Sequence, residues 1–130
     1  MSVTAKEILQ LARNLSAAAS SEVEHRNIVG RAYYAAYHLS HSFHSQLPSS
    51  GENPPRVLGV HAELTYRLDH PTIAASDPRY RQSKLLGLKM RPFMVLRTRA
   101  DYNLHETIQK ADAADALIKA AAMFKLVVEP

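Results

Sequence analysis

The sequence predicts an all-α fold: an up-and-down bundle of four to five helices that forms one domain over residues 1–130. Three observations predict this class. Apolar residues recur at helical spacing, no segment alternates for long enough to make a sheet, and the Pro- and Gly-rich stretches separate the periodic segments. A chain of 130 residues is long enough to bury one core and leaves little room for a second.

The first helix is predicted from about Ala5 to Ala19. Thr4 and Glu7 have the spacing of a capping box, in which each side chain accepts a hydrogen bond from a backbone N–H that the first turn leaves free. One face of this helix is apolar and can pack on a neighbour. Its members are Ile8, Leu11, Ala12 and Leu15.

The second helix, Glu22–Ser45, is predicted to be on the order of 35 Å long and to organise the bundle. Ser21 and Glu24 repeat the capping box. The flanks of this helix carry tyrosines and histidines, which favour partial burial with their polar ends bonded, so we expect it to contact several neighbours, including a second copy of the chain. One flank holds Arg31, Tyr34 and His38, and the other holds Tyr33, Tyr37, Ser40 and His44.

Two further helices are predicted after a loop rich in Pro, Gly and Ser. The third spans Val57–Leu68, and the fourth spans about Arg79–Ala100. Asp77 followed by Pro78 has the pattern of an N-cap with proline at the first helical position. Pro92 lies inside the fourth helix, where it removes one backbone hydrogen bond, so we expect a kink there.

The fifth helix is predicted over about Ile108–Val127, with Thr107 as its cap. Its polar stripe is short, and its many alanines allow a neighbouring helix to approach closely. The polar stripe consists of Asp112, Asp115 and Lys119, and the alanines are Ala113, Ala114, Ala120, Ala121 and Ala122.

Composition narrows the class of protein. The chain has no cysteine, which excludes disulfides and thiol chemistry, and it has no apolar stretch of the roughly 20 residues that span a membrane. A cytoplasmic location is therefore expected. The formal net charge is +4, which permits binding to nucleic acid without requiring it.

The segment "LRTRADYNLHETI", residues 96–108, holds the most suggestive polar residues. A helical wheel places Arg99 on the same third of the fourth helix as Leu85, Leu88 and Leu96, which predicts that it faces the core. A buried guanidinium needs a partner, because an unpaired buried charge costs several kcal/mol. Asp101, Glu24 or a tyrosine hydroxyl could supply one. His105 follows Arg99 after five intervening residues.

Two motifs resemble those of a known family. "RNIVGRAYYAAYHLSHSF" in the second helix, followed by "LRTRADYNL" near the end of the fourth, is similar to the HEPN domain, a small all-α family of prokaryotic and eukaryotic proteins. The order and spacing of the motifs agree with that family. The resemblance covers about Ser20 to Phe124 and implies a HEPN-like bundle with a long second helix.

The resemblance implies a homodimer formed through the long helices and a nucleotidyltransferase-type antitoxin as partner. It also implies a toxin or defence role, with metal-independent cleavage of RNA at the dimer interface and no cofactor. Arg99 would then hold the phosphate, and His105 would transfer protons, since imidazole titrates near neutrality and guanidinium suits phosphate. Binding or support would come from Asp101, Tyr102, Arg31, Tyr34 and His38.

Two departures from the family pattern keep a non-catalytic alternative open. Ala100 follows the arginine, where nuclease members usually have a polar residue, and "DYNLHE" is typical of a helix that is ending. The alternative is a catalytically inactive helical module that binds a nucleotide or a nucleotidyltransferase partner. In that case Arg99 bonds to Asp101 and His105 lies in a loop without a catalytic role.

The remaining patterns have structural and functional interpretations side by side. His38, His41 and His44 could share a metal in pairs, but they drift around the helix, so surface or interface histidines are favoured. Tyrosines of the second helix could stack on bases, although aromatics at helical spacing more often form core and interface. The fourth helix is strongly basic and could bind RNA or an acidic partner surface.

Overall fold

The computed structural model describes residues 3–128, which form five helices packed as a bundle; this part of the chain contains no strand. The predicted all-α bundle is therefore confirmed. The helices are α1 (Ala5–Ala18), α2 (Glu22–Ser45), α3 (Val60–Asp69), α4 (Pro78–Tyr102) and α5 (Lys110–Leu126). Within residues 3–128, no helix combines the length and the apolar character needed to cross a membrane.

Both predicted capping boxes are present. The Thr4 hydroxyl accepts from the Glu7 backbone N–H at 3.1 Å, and the Ser21 hydroxyl accepts from the Glu24 N–H at 3.3 Å. The Glu24 carboxylate in return accepts from the Ser21 N–H at 3.1 Å. These bonds satisfy donors that the first turn of each helix leaves free, and they fix where the two helices begin.

The long helix α2 is the centre of the bundle and packs against the other four helices. Its core-facing side meets α4 through Tyr33 and Phe93, whose rings pack edge to face with centroids 5.4 Å apart. Leu9 of α1 and Met123 of α5 are almost fully buried on other sides of the core. Because four helices cover α2, only a narrow stripe of it reaches the surface.

Two predicted helix starts were wrong by two to three residues. α3 begins at Val60 because Gly59 has the extended backbone of an N-cap, so Val57 lies outside the helix. α5 begins at Lys110, and its N-cap is Gln109, whose N–H donates to the Asp112 carboxylate at 2.8 Å. Thr107 is therefore not the cap.

The core-facing side of α4 also differs from the prediction. Leu88 was expected in the core but is 58% exposed, because the buried stripe instead runs through Leu86, Met90, Phe93 and Leu96. The α4 helix continues without a break through Pro92. This rotation moves Arg99 from the core to the edge of the bundle, where its side chain is 34% exposed.

Candidate ligand-binding surface

One arginine of α2 fastens the end of α4 and the turn that follows. The Arg26 side chain is only 12% exposed, forms an ion pair with Glu22 at 2.9 Å, and donates to four backbone carbonyls at the α4 C-terminus and in the turn. A cation suits this position, because the last carbonyls of a helix lack intrahelical donors. The four acceptors are the carbonyl oxygens of Arg99, Ala100, Asn103 and Glu106.

Sequence reasoning missed Arg26, since its only local signal is Glu22 four residues earlier. Glu22 extends the same connection, because its carboxylate also accepts from the Ile108 N–H at 3.1 Å. That bond lowers the pKa of Glu22, with the bond from Arg26 as the second cause. The turn between α4 and α5 is thus held to the start of α2 by a cation and an anion.

Arg99 pairs with Glu106 of the turn after α4 and with Asp112 in the first turn of α5, and not with Asp101, Glu24 or a tyrosine hydroxyl as the sequence suggested. Its guanidinium lies 3.4 Å from the Glu106 carboxylate and 3.9 Å from that of Asp112. The cause is the rotation of α4, which turns residue 99 away from α2. These contacts join the end of α4 to the first turn of α5.

His105 lies in the turn between α4 and α5 and is exposed. The prediction that "DYNLHE" marks the end of a helix is confirmed, since α4 ends at Tyr102. Within residues 3–128, no hydrogen bond or ion pair orients the His105 ring. The structure therefore places the two expected catalytic residues in different surroundings: Arg99 is held by carboxylates, and His105 is unrestrained on an exposed turn.

Arg97, two positions earlier, is the arginine that contacts α2. Its Nε donates to the Asp101 carboxylate at 2.9 Å, and its Nη2 donates to the Tyr102 hydroxyl at 3.3 Å. The guanidinium also lies over the rings of Tyr33 and Tyr102, at 5.4 and 5.1 Å from their centroids. Sequence reasoning did not single out Arg97, although the carboxylate at i+4 was a usable signal.

A glycine in α2 makes room for the carboxylate that positions Arg97. A Cβ atom at Gly30 would lie 3.2 Å from Oδ1 of Asp101, which is tighter than ordinary van der Waals contact. The glycine in the "IVGRAYY" segment therefore allows α4 to bring Asp101 against the α2 backbone. Asp101 in turn holds Arg97 in place through their i, i+4 ion pair.

A partly buried tyrosine–histidine pair links α2 and α3 beside Arg97 of α4. The Tyr33 hydroxyl and Nδ1 of His61 lie 2.9 Å apart, and burial raises the pKa of Tyr33 to about 12 although Arg97 opposes the rise. Burial lowers the pKa of His61, and the nearby charges of Arg97 and His38 lower it further. His61 is therefore predominantly neutral at pH 7.

The exposed side of α2 continues this cluster. The Tyr34 ring is 42% exposed, packs edge to face on His38 at 4.2 Å, and lies under the Arg31 guanidinium at 5.3 Å. Tyr37 connects the two parts, with its ring 5.3 Å from His38 and 4.2 Å from His61. We call the resulting patch the Arg97 surface. It consists of Arg31, Tyr34, His38, His61, Arg97 and Tyr102.

The Arg97 surface contains four of the five predicted binding or support residues, and the fifth, Asp101, orients Arg97. The sequence placed Arg31, Tyr34 and His38 on one flank of α2, but it could not show that Tyr37 and His61 connect this flank to the α4 residue Arg97. No sequence pattern placed His61 at this surface, where it bonds to Tyr33.

A groove of about 540 Å³ runs between α3 and α4 on another side of the bundle. Its lining is mainly apolar, and it includes Arg99 and an Arg91–Asp69 ion pair. Burial raises the pKa of Asp69, while Arg91 acts in the opposite direction. The apolar part of the lining comes chiefly from Leu58, Ala62, Tyr66, Met94 and Val95.

The histidines that follow Tyr37 in α2 contact a tyrosine ring or a backbone carbonyl. His38 and His41 pack against Tyr37, and Nε2 of His44 lies 2.8 Å from the Ser50 carbonyl oxygen. Across residues 3–128, no group of three or more His, Asp or Glu side chains is arranged to hold a metal ion.

Comparison with known proteins adds no relative: no family model, no curated protein and no solved structure matches this chain. The resemblance to the HEPN domain therefore depends on the two sequence motifs and stays a prediction.

Proposed function

We propose that this protein is a HEPN-like helical module that binds nucleotide units, as a free nucleotide or in single-stranded RNA, through the Arg97 surface. The observation that supports this proposal is two guanidinium groups, each over an exposed tyrosine ring, which are connected by the ring contacts of His38, Tyr37, His61 and Tyr33. The rings are Tyr34 and Tyr102, and the cations are Arg31 and Arg97.

The chemistry of this patch suits the two parts of a nucleotide. A guanidinium binds phosphate through paired N–H donors, and Asp101 and Tyr102 occupy only part of the donor set of Arg97. Exposed aromatic rings stack on bases with little dependence on sequence, which contributes about 1–3 kcal/mol per base. Holding Arg97 with Asp101 reduces the side-chain entropy that binding would otherwise cost.

The surroundings of Arg99 and His105 favour binding over cleavage. Two carboxylates, Glu106 and Asp112, offset the charge that Arg99 would need to hold a phosphate, whereas within residues 3–128 Arg97 is paired with Asp101 alone. A proton-transfer group is normally oriented by a second residue, and His105 has no such partner in the described part of the chain. The Arg97 surface, by contrast, is fixed by hydrogen bonds and ring contacts.

Fluorescence anisotropy with a labelled single-stranded RNA and with a labelled nucleotide tests the proposal. Arg97→Gln should weaken binding by about tenfold or more, because a charge-assisted hydrogen bond contributes about 1.5–3 kcal/mol. Tyr34→Ala should also weaken it through lost stacking. Arg13→Gln, at an exposed position of α1, is the control that removes the same charge elsewhere. Equal affinity for the Arg97 and Arg13 variants would refute the proposed site.

A second candidate is the metal-independent endoribonuclease with Arg99 and His105 as catalytic residues. It is favoured by one observation: Arg99 is 34% exposed and lines an open groove. The assay is RNA cleavage in the presence of a chelator. Cleavage by the wild type that both Arg99→Ala and His105→Ala abolish, with folding intact, would establish this function in place of simple binding.

The toxin or defence role, the homodimer and the nucleotidyltransferase partner stay predictions. Growth arrest on induced expression, compared with the Arg97→Gln variant at equal protein level, tests the toxin role. Sedimentation of the wild type and Val23→Asp tests a dimer through α2, because Val23 is 76% exposed on that helix.

A further inference from the structure

The outer side of α4 carries apolar residues that are more than half exposed. Leu88 is 58% exposed, Val95 is 63% exposed, and they lie seven residues apart, so they share one side of the helix. Pro92 is exposed between them. Ile118 of α5, which is 67% exposed, lies beside Leu88. We call these four residues the α4 ridge.

A groove lies on each side of Leu88, Pro92 and Val95, the α4 residues of the ridge. Leu88, Pro92 and Ile118 line a groove of about 310 Å³ between α4 and α5. Val95 lines the larger groove between α3 and α4. An apolar ridge with a groove on either side is the shape against which the side chains of another helix pack.

Most charges beside the ridge are positive, and the carboxylates that line its two grooves, Asp115 and Asp69, are paired with Lys119 and Arg91. α4 contains seven Lys or Arg residues and one acid, Asp101. Several of these cations have carboxylate partners within the bundle. Arg81, Lys84 and Lys89 do not, since none of them forms an ion pair within residues 3–128. The unpaired cations lie on the N-terminal half of α4, next to Leu88.

We propose that the α4 ridge docks an amphipathic helix of a partner protein, with an apolar stripe flanked by Glu or Asp. A second copy of this chain fits poorly, because two α4 helices facing each other would bring cation against cation. RNA also fits poorly, since exposed Leu, Val and Ile side chains offer neither a hydrogen-bond donor nor a positive charge to phosphate groups. The ridge does not include the Arg97 surface, so this inference does not depend on the proposed nucleotide site.

Two synthetic helices of about four turns serve as probes. Both carry a leucine stripe; one has Glu flanks and the other has Lys flanks. The intact protein should bind the Glu helix and not the Lys helix by fluorescence anisotropy. Val95→Asp should weaken binding of the Glu helix by about tenfold or more, since it replaces an apolar contact with a charge of the same sign as the Glu flanks. Val23→Asp on α2 makes the same change elsewhere and should have no effect.

Charge is tested separately. Lys89→Glu should weaken binding of the Glu helix several-fold, and this effect should become smaller with added salt. Arg13→Glu on α1 should leave binding unchanged. Equal binding of the two probes, or no effect of Val95→Asp, would overturn the proposal. A dimer that Val95→Asp dissociates would make a second copy the occupant. Displacement of the Glu helix by single-stranded RNA would make the ridge part of an RNA surface.

Discussion

Replacing Arg26 with methionine should strongly destabilise the protein. Methionine keeps much of the length and apolar contact of the side chain, but it removes every hydrogen bond that Arg26 donates. Four backbone carbonyls and the Glu22 carboxylate would each lose one donor. The Arg99 and Asn103 carbonyls would keep a backbone donor, and Glu22 would keep the Ile108 N–H. A hydrogen bond to a charged group contributes about 1.5–3 kcal/mol.

Adding this contribution for every lost hydrogen bond would overestimate the loss of unfolding free energy, because water can reach some of the freed carbonyls at the edge of the bundle. The value for breaking one partner of a buried ion pair, about 3–5 kcal/mol, is an upper bound, since Arg26 is only 12% exposed but its partner Glu22 is 45% exposed. We therefore expect Arg26→Met to lower the free energy of unfolding by about 2–4 kcal/mol.

Urea unfolding followed by circular dichroism measures this change, with Arg13→Met on α1 as the control. Hydrogen exchange should also quicken at the Ile108 amide, which bonds to the Glu22 carboxylate. A loss below about 1 kcal/mol for Arg26→Met, or equal losses for the two variants, would refute the role assigned to Arg26.

Three further predictions concern pH and backbone strain. Stability should fall as pH drops through about 6.5, because burial lowers the pKa of His38 and His61 and the unfolded chain then binds more protons; urea unfolding at several pH values checks this. Arg97→Gln should raise the pKa of His61 in an NMR titration, since a nearby cation is removed. Gly51→Ala should cost about 2 kcal/mol or more of unfolding free energy, because φ is +83° and a Cβ would lie 2.5 Å from the Arg67 carbonyl oxygen. A loss below about 0.5 kcal/mol would contradict it.

Local patterns predicted the helices well where the signal lies within a few residues. The capping boxes at Thr4 and Ser21 fixed two helix starts, and Asp77 with Pro78 fixed a third. The start of α5 was missed because Gln109, a less common N-cap residue, holds that position in place of Thr107.

Tertiary contacts explain the errors at the candidate site. The helical wheel placed Arg99 with Leu88 in the core. Packing of α4 on α2 instead buried a different stripe, which left Leu88 at the surface and Arg99 at the edge of the bundle. Arg97 and Arg26 gain their importance from residues more than 60 positions away, Arg97 through the Tyr33 ring and Arg26 through the carbonyls that follow α4. No local spacing carries such information.

The most direct test of the proposed binding site is an NMR titration of the isotope-labelled protein with a short single-stranded RNA. The account predicts shifts of the His38 and His61 imidazole signals and of the Tyr34 and Tyr102 ring signals, which Arg97→Gln should reduce. The His105 imidazole signal should not move. A shift confined to His105 and residues near Arg99, with His38 and His61 unchanged, would contradict this prediction and place the ligand at the turn between α4 and α5.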